Sequence, residues 1–196
     1  MNTKKIIACY DENTIRVYQA YNHGIANEVE KLGRFGSRFS MNRMIWIKPS
    51  FLWMMYRCGW ATKENQERVL AIDISIEGFR EILGNVVLSS FDEKVYKTYE
   101  NWKTQLDKSK VRCQWDPDKD LYMNPMTQRA IQIGMKDEIV EKYVNEWIKS
   151  ITDITEYVHQ TKKLIDTDMI DKIVLPDEKV FELTEEEKRI LGIDVL

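Results

Sequence analysis

Cysteine, histidine and proline are scarce in this chain: of 196 residues, three are Cys, two are His and four are Pro. Cys9, Cys58 and Cys113 form no C-x-x-C pair and cannot all pair internally, and two histidines leave little for a Cys/His zinc site. No metal site is expected, the thiols read as reduced, and the compartment as cytoplasmic. Long hydrophobic runs are missing too. The most apolar stretch, 44–60, is interrupted by Lys48 and Arg57, too polar for a membrane span. The apolar run near the N-terminus ends at Asp11 and Glu12, which argues against a signal peptide. Absent as well are a GxxxxGK[ST] phosphate loop, HExxH and GxSxG. The fragment Gly33-Arg-Phe-Gly36 follows a predicted helix, not a strand, and so is no dinucleotide fingerprint. A P-loop NTPase, a Rossmann enzyme and a zinc hydrolase are all disfavoured.

What is present fits one globular core: 43% hydrophobic and 31% charged residues, without repeats or low-complexity linkers. Net charge is −3, against a protein that coats nucleic acid by bulk charge. The charge is unevenly spread. Residues 1–60 carry nine Lys/Arg against four Asp/Glu, whereas residues 136–196 carry nine against sixteen. A cationic front joined to an acidic tail suggests an anion-facing site with a solvated outer shell. Acidic helices that serve solubility alone would give the same imbalance.

Alternation predicts strands over 14–18, 44–47, 69–74, 111–115 and 130–133. Asn22 is placed to cap a helix that runs to Leu32 and stops at Gly33, and Pro49 precedes a helix ending at Gly59. Short helical spacing follows over 77–83, then over 91–106. Residues 136–165 read as a long amphipathic helix or a broken pair, striped by Ile139, Tyr143, Trp147, Ile151 and Ile154. Thr184 with Glu187 forms a capping box. Strands and helices mix without βαβ alternation, so the expected fold is α+β, a single compact domain. It has a small mixed or antiparallel sheet at residues 15–135 and a helical C-terminal extension packed on it.

Three constellations carry the chemistry. On the strand RVYQAYN, residues 16–22, Arg16, Tyr18 and Ala20 face one way while Val17, Gln19 and Tyr21 face the other. Arg16 and Tyr18 side by side suit a phosphate or carboxylate, and the helix start at Asn22 adds backbone N–H groups. A Tyr-rich core strand with Arg16 turned to solvent is the plainer alternative. In RMIWIKPSFLWMMYRCGW, residues 43–60, Trp46 and Lys48 share a strand face, and Ser50, Trp53 and Arg57 share a helix face. Tryptophan beside Arg and Lys makes a stacking surface with adjacent positive charge, which suits a nucleobase and its phosphate. In VRCQWDP, residues 111–117, Val111, Cys113 and Trp115 point to the core and Arg112, Gln114 and Asp116 away from it. Gln114 and Asp116 would then orient substrate or act as base, with Tyr18 as a third catalytic candidate. Asp116 before Pro117 would serve equally to start a turn. Gln19, Arg43 and Gln132 complete the binding set.

The blocks RVYQAYN, RMIWIKPSFLWMMYRCGWATKENQERVLAIDI, QWDP and IQIG, in that order across residues 15 to about 135, resemble the DUF4291 family. That family implies no established activity. Ile45 and Cys58 stand where the family commonly carries Thr and Ser, which implies that Cys58 is not an obligatory nucleophile. The expected function is a nucleotide-handling enzyme, such as a transferase with NAD or another nucleotide as cofactor or substrate. An ADP-ribosyltransferase-like arrangement is one form. Its usual E-x-E occurs as Glu28-Val-Glu30, in a predicted helix, which counts against it. The alternative is a non-catalytic module that reads modified or single-stranded RNA or DNA. A protein-interaction role for the acidic helical surface is a third.

Overall fold

A computed structural model of the chain describes residues 3–193. Two very short strands, β1 (Thr3–Lys4) and β2 (Ile7–Ala8), lead into β3 (Thr14–Tyr21), helix α1 (His23–Leu32), β4 (Ile45–Ile47) and α2 (Phe51–Cys58). Next come β5 (Arg68–Ser75), α3 (Ile76–Gly84), β6 (Val86–Leu88), α4 (Glu93–Tyr96) and α5 (Tyr99–Lys108). The long hairpin β7 (Val111–Lys119) and β8 (Pro125–Met135) follows, then α6 (Glu138–Lys142) and a π-helical turn over Tyr143–Trp147. The chain closes with β9 (Ile148–Asp153), α7 (Thr155–Asp166), β10 (Lys179–Val180) and α8 (Glu185–Ile190). The architecture is α+β. One mixed sheet runs β1-β8-β7-β6, with β4 also on β8; a second, antiparallel, runs β3-β5-β9; β10 pairs with β2.

Local signals set most boundaries. Asn22 Oδ1 accepts the Ile25 N–H at 3.0 Å, and Gly33 ends α1 with φ 67°. Such a φ suits glycine because a Cβ would crowd the following carbonyl. Thr184 and Glu187 make the reciprocal capping box of α8. Two expectations are corrected. The helix predicted over 91–106 breaks at Lys97, whose φ is 64°, and restarts under a Thr98 cap. Residues 136–165, expected as one long helix or a broken pair, form α6 and α7 with the π-helical turn and strand β9 between them, so the C-terminal part is not simply a helical extension. Strand β5 is buried along nearly its whole length and needs a partner on each edge. The β-branched run around Ile148, Ile151 and Thr152 supplies the second partner, overriding helical spacing. Just before it, Trp147 lies against Gly78, where a Cβ would sit 2.3 Å from the indole.

The core has two parts. The larger joins both sheets through Ile15, Val17, Ile72, Phe79, Ile133 and Tyr143. The smaller collects Tyr18, Phe51, Met54, Met55, Cys58 and Val158 beneath α2 and α7. Backbone hydrogen bonds between Tyr18 and Lys48, 2.8 and 3.2 Å, bring the chain just after β4 onto β3 and so tie the two sheets together. The candidate site opens beside that tie.

Candidate functional site

A cleft of about 630 Å³ lies where β3, β4 and the β7–β8 hairpin converge under α2. Strand alternation puts Gln19 and Tyr21 there from β3, and Trp46 with Lys48 from β4 and its continuation. Arg57 reaches in from the last turn of α2, Arg43 from the loop before β4, and Asn22 from the start of α1. Gln114 and Gln132, a directly opposed cross-strand pair, form a further wall.

Lys48 dominates the electrostatics. Only 9% exposed, it donates from Nζ to the Trp46 carbonyl at 3.2 Å and forms no ion pair among the described residues. Burial, and then the nearby Arg57 charge, push its ammonium down to about 8. Burying a cation without a counter-ion costs several kcal/mol, so proteins seldom leave one unpaired. Arg43 and Arg57 are exposed, and neither has an ion-pair partner among the described residues. Among the described residues, Glu64 is the single carboxylate on the lining.

Trp46 is held in place. Its indole lies across Gly134, where an added Cβ would be 2.9 Å from the ring. Its carbonyl accepts from Lys48 Nζ and from Gln19 Nε2, the latter at 3.4 Å. Gln19 is in turn fixed by the Tyr143 hydroxyl, which donates to Oε1 at 2.9 Å. Gln19 is therefore a buried brace for the cleft floor. On the opposite wall, Asp116 accepts from Gln114 Nε2 and Gln132 Nε2, each at 2.9 Å and each on a different carboxylate oxygen.

The structure places Gln19, Asn22, Arg43, Trp46, Lys48, Arg57, Gln114 and Gln132 on the lining of one cleft. It corrects five other assignments, because none of these five side chains lines the cleft. Arg16 is committed to Asp73 through two hydrogen bonds of 2.8 and 2.9 Å, so it is no free phosphate ligand. Burial raises the Asp73 carboxyl, but the bonds from Arg16 and Ser150 outweigh that and leave it below its usual value. Tyr18 is sealed in the smaller core edge-on to Phe51, and burial pushes its phenol far up, against a catalytic role. Trp53 turns away from the cleft and stacks on Tyr56 at 5.3 Å, its indole nitrogen buried and unpartnered. Ser50 occupies the N-cap position of α2 without capping it; Glu178 accepts the Phe51 N–H at 2.6 Å instead. Asp116 stands behind the two glutamines and acts through them. Glu28 and Glu30 also lie elsewhere, the first bonded to Ser37 and the Arg38 N–H, the second beside Arg68.

Sequence reasoning missed Tyr21, Glu64, Asn65 and Gln66 on the lining. The polar run Lys63-Glu-Asn-Gln66, directly after the aromatic block and before a strong strand, was the available signal.

A family model described as a domain of unknown function (DUF4291) matches residues 5–181. No curated protein matches the chain. Among the described residues, no helix is long and apolar enough to cross a membrane.

Proposed function

The chain belongs to the DUF4291 family, and from that premise we propose that its cleft is the substrate site of a nucleotide-handling enzyme, a transferase. In this reading Lys48, Arg57 and Arg43 hold phosphate oxygens, Trp46 stacks on the base, and Gln114 with Gln132 orient the group beside it. The observation that carries it is the buried Lys48, which forms no ion pair among the described residues and shares the cleft lining with Arg57 and Trp46. An anion entering there regains the ammonium's lost solvation, and charge-assisted hydrogen bonds are about twice as strong as neutral ones. The cleft volume lies within the usual range for small-ligand sites, roughly 300–1,000 Å³. Walls on several sides and a net charge of −3 favour a single nucleotide or dinucleotide over a long nucleic-acid strand. ADP-ribosyl transfer is one form, with NAD as ligand, and Glu28 and Glu30 take no part in it.

A thermal-shift panel tests this with NAD, ATP, GTP, common mononucleotides and short RNA and DNA oligomers, alongside Arg57→Ala. Arg57 is exposed, so the variant keeps the fold. A ligand at about 100 times its dissociation constant stabilises by roughly 2.7 kcal/mol, a midpoint rise of a few degrees. A rise with a mononucleotide or dinucleotide that is lost in Arg57→Ala is the expected result. A rise with oligomers alone moves the assignment to a nucleic-acid-binding module. No rise with any of them ends the nucleotide reading.

A further inference from the structure

Asp116 does more than fill space behind the wall. As a carboxylate it only accepts hydrogen bonds, and each of its oxygens takes one from a glutamine amide nitrogen, Gln114 on Oδ1 and Gln132 on Oδ2, both at 2.9 Å. The amide oxygen and nitrogen of a glutamine are normally interchangeable by a half-turn. Here the half-turn would set a carbonyl oxygen against a carboxylate oxygen at hydrogen-bond distance, two acceptors facing each other. Both side chains are therefore locked with Nε2 toward Asp116 and Oε1 turned away from it. Both line the cleft, Asp116 does not, and the pair stands directly opposite across the β7–β8 ladder. The cleft thus combines three cations that form no ion pair among the described residues with a wall on which two amide carbonyl oxygens are held away from Asp116.

Resting on the nucleotide reading above, the geometry points to a base-selective site: we infer that the cleft takes nucleotides whose base carries an amino group at purine C6 or pyrimidine C4, adenine or cytosine. The amino hydrogens would donate to Gln114 Oε1 and Gln132 Oε1. A 6-keto purine or uracil places an acceptor against the same two oxygens and leaves them unpaired. A site built around such hydrogen bonds rejects the analogue lacking the donor, commonly by far more than a hydrophobic pocket rejects a missing methylene. Asp116 is a positioning residue in this scheme, and Gln114 and Gln132 are the specificity-determining ones.

The test is calorimetric titration of the full chain with ATP, ITP, CTP and UTP, and with tripolyphosphate as a probe of the cations alone. ATP is expected to bind at least about tenfold tighter than ITP, and CTP likewise tighter than UTP. Asp116→Asn, which is isosteric, offers one donor in place of an acceptor and lets one glutamine turn over. It should bring the ATP/ITP ratio to within about twofold while tripolyphosphate affinity stays unchanged, a pattern that loss of structure would not give. Gln114→Ala, at an exposed position, should lower the ratio in the same way. Equal affinity for amino and keto partners in the unaltered protein overturns the inference and leaves the phosphate site standing. Nucleotides that bind no tighter than tripolyphosphate do the same. Failure of tripolyphosphate and every nucleotide to bind overturns both readings.

Discussion

At the scale of single residues, Lys48 sets the clearest expectation. Its folded-state value of about 8 lies below the 10.5 of a free lysine, so the folded protein releases that proton first as pH rises. Between those two values the unfolded chain holds more protons, and the stability of the unliganded protein rises with pH. Anion binding in the cleft moves the opposite way and weakens above pH 8 as the ammonium is lost. Lys48→Met removes a buried charge for a similar volume, so it should be as stable as the parent or more so at pH 7. It should also lose both the alkaline rise in stability and the ligand-induced shift. Urea denaturation across pH 7 to 10, with and without nucleotide, measures all three, and identical pH profiles for parent and variant refute the assignment. Lys48 and Trp46 were legible in the sequence because strand alternation places them on one face whatever surrounds them. Arg16 was not. Its partner Asp73 is 57 residues away, and only the β3–β5 register sets the two opposite one another.

At the scale of elements, helix α2 owes its N-terminal cap to a residue far along the chain. Glu178 takes the Phe51 N–H where Ser50 makes no side-chain cap. Partial burial raises the Glu178 carboxyl from 4.5 to about 8, the Phe51 bond opposing the rise and Asp118 adding to it. The folded state thus holds this proton more tightly than the unfolded chain. The associated stability is complete below about pH 4.5 and lost as pH climbs through about 8. Glu178→Gln keeps an acceptor for Phe51 and removes the titration. Its melting midpoint should exceed the parent's at pH 9, with the difference shrinking toward pH 5; a constant difference across that range counts against the account. Helix ends carrying their own signals, Asn22, Gly33, Gly59 and Thr184, were readable from residues a few positions apart. A cap supplied across 127 residues leaves no local trace. Strand β9 was hidden for a related reason: Ile151 falls on the helical stripe of Ile139, Tyr143, Trp147 and Ile154, and β5's unfilled edge decided for a strand instead.

At the scale of the whole molecule, the C-terminal third is part of the fold. Strand β9 completes the β3-β5-β9 sheet, β10 pairs with β2, and Val158 of α7 lies in the smaller core. A chain ended at Trp147 would expose the β9 edge of β5 and uncover Met55 and Phe51, so it should lose cooperative thermal unfolding by circular dichroism. Retention of a sharp transition would show that residues 3–147 fold alone. The α+β class was legible because it follows from the order and period of the elements. The division into a core and an appended helical part was not, since composition changes along the chain without any break in packing.

The two backbone hydrogen bonds between Tyr18 and Lys48 have a dynamic consequence. They fasten one sheet to the other, and the residue that supplies the buried cation is one of the two fasteners. Opening the joint and dismantling the anion site are therefore a single event. Hydrogen–deuterium exchange at these two amides should slow together when the cleft is occupied, so that a ligand for the cleft also acts as a clasp on the whole chain.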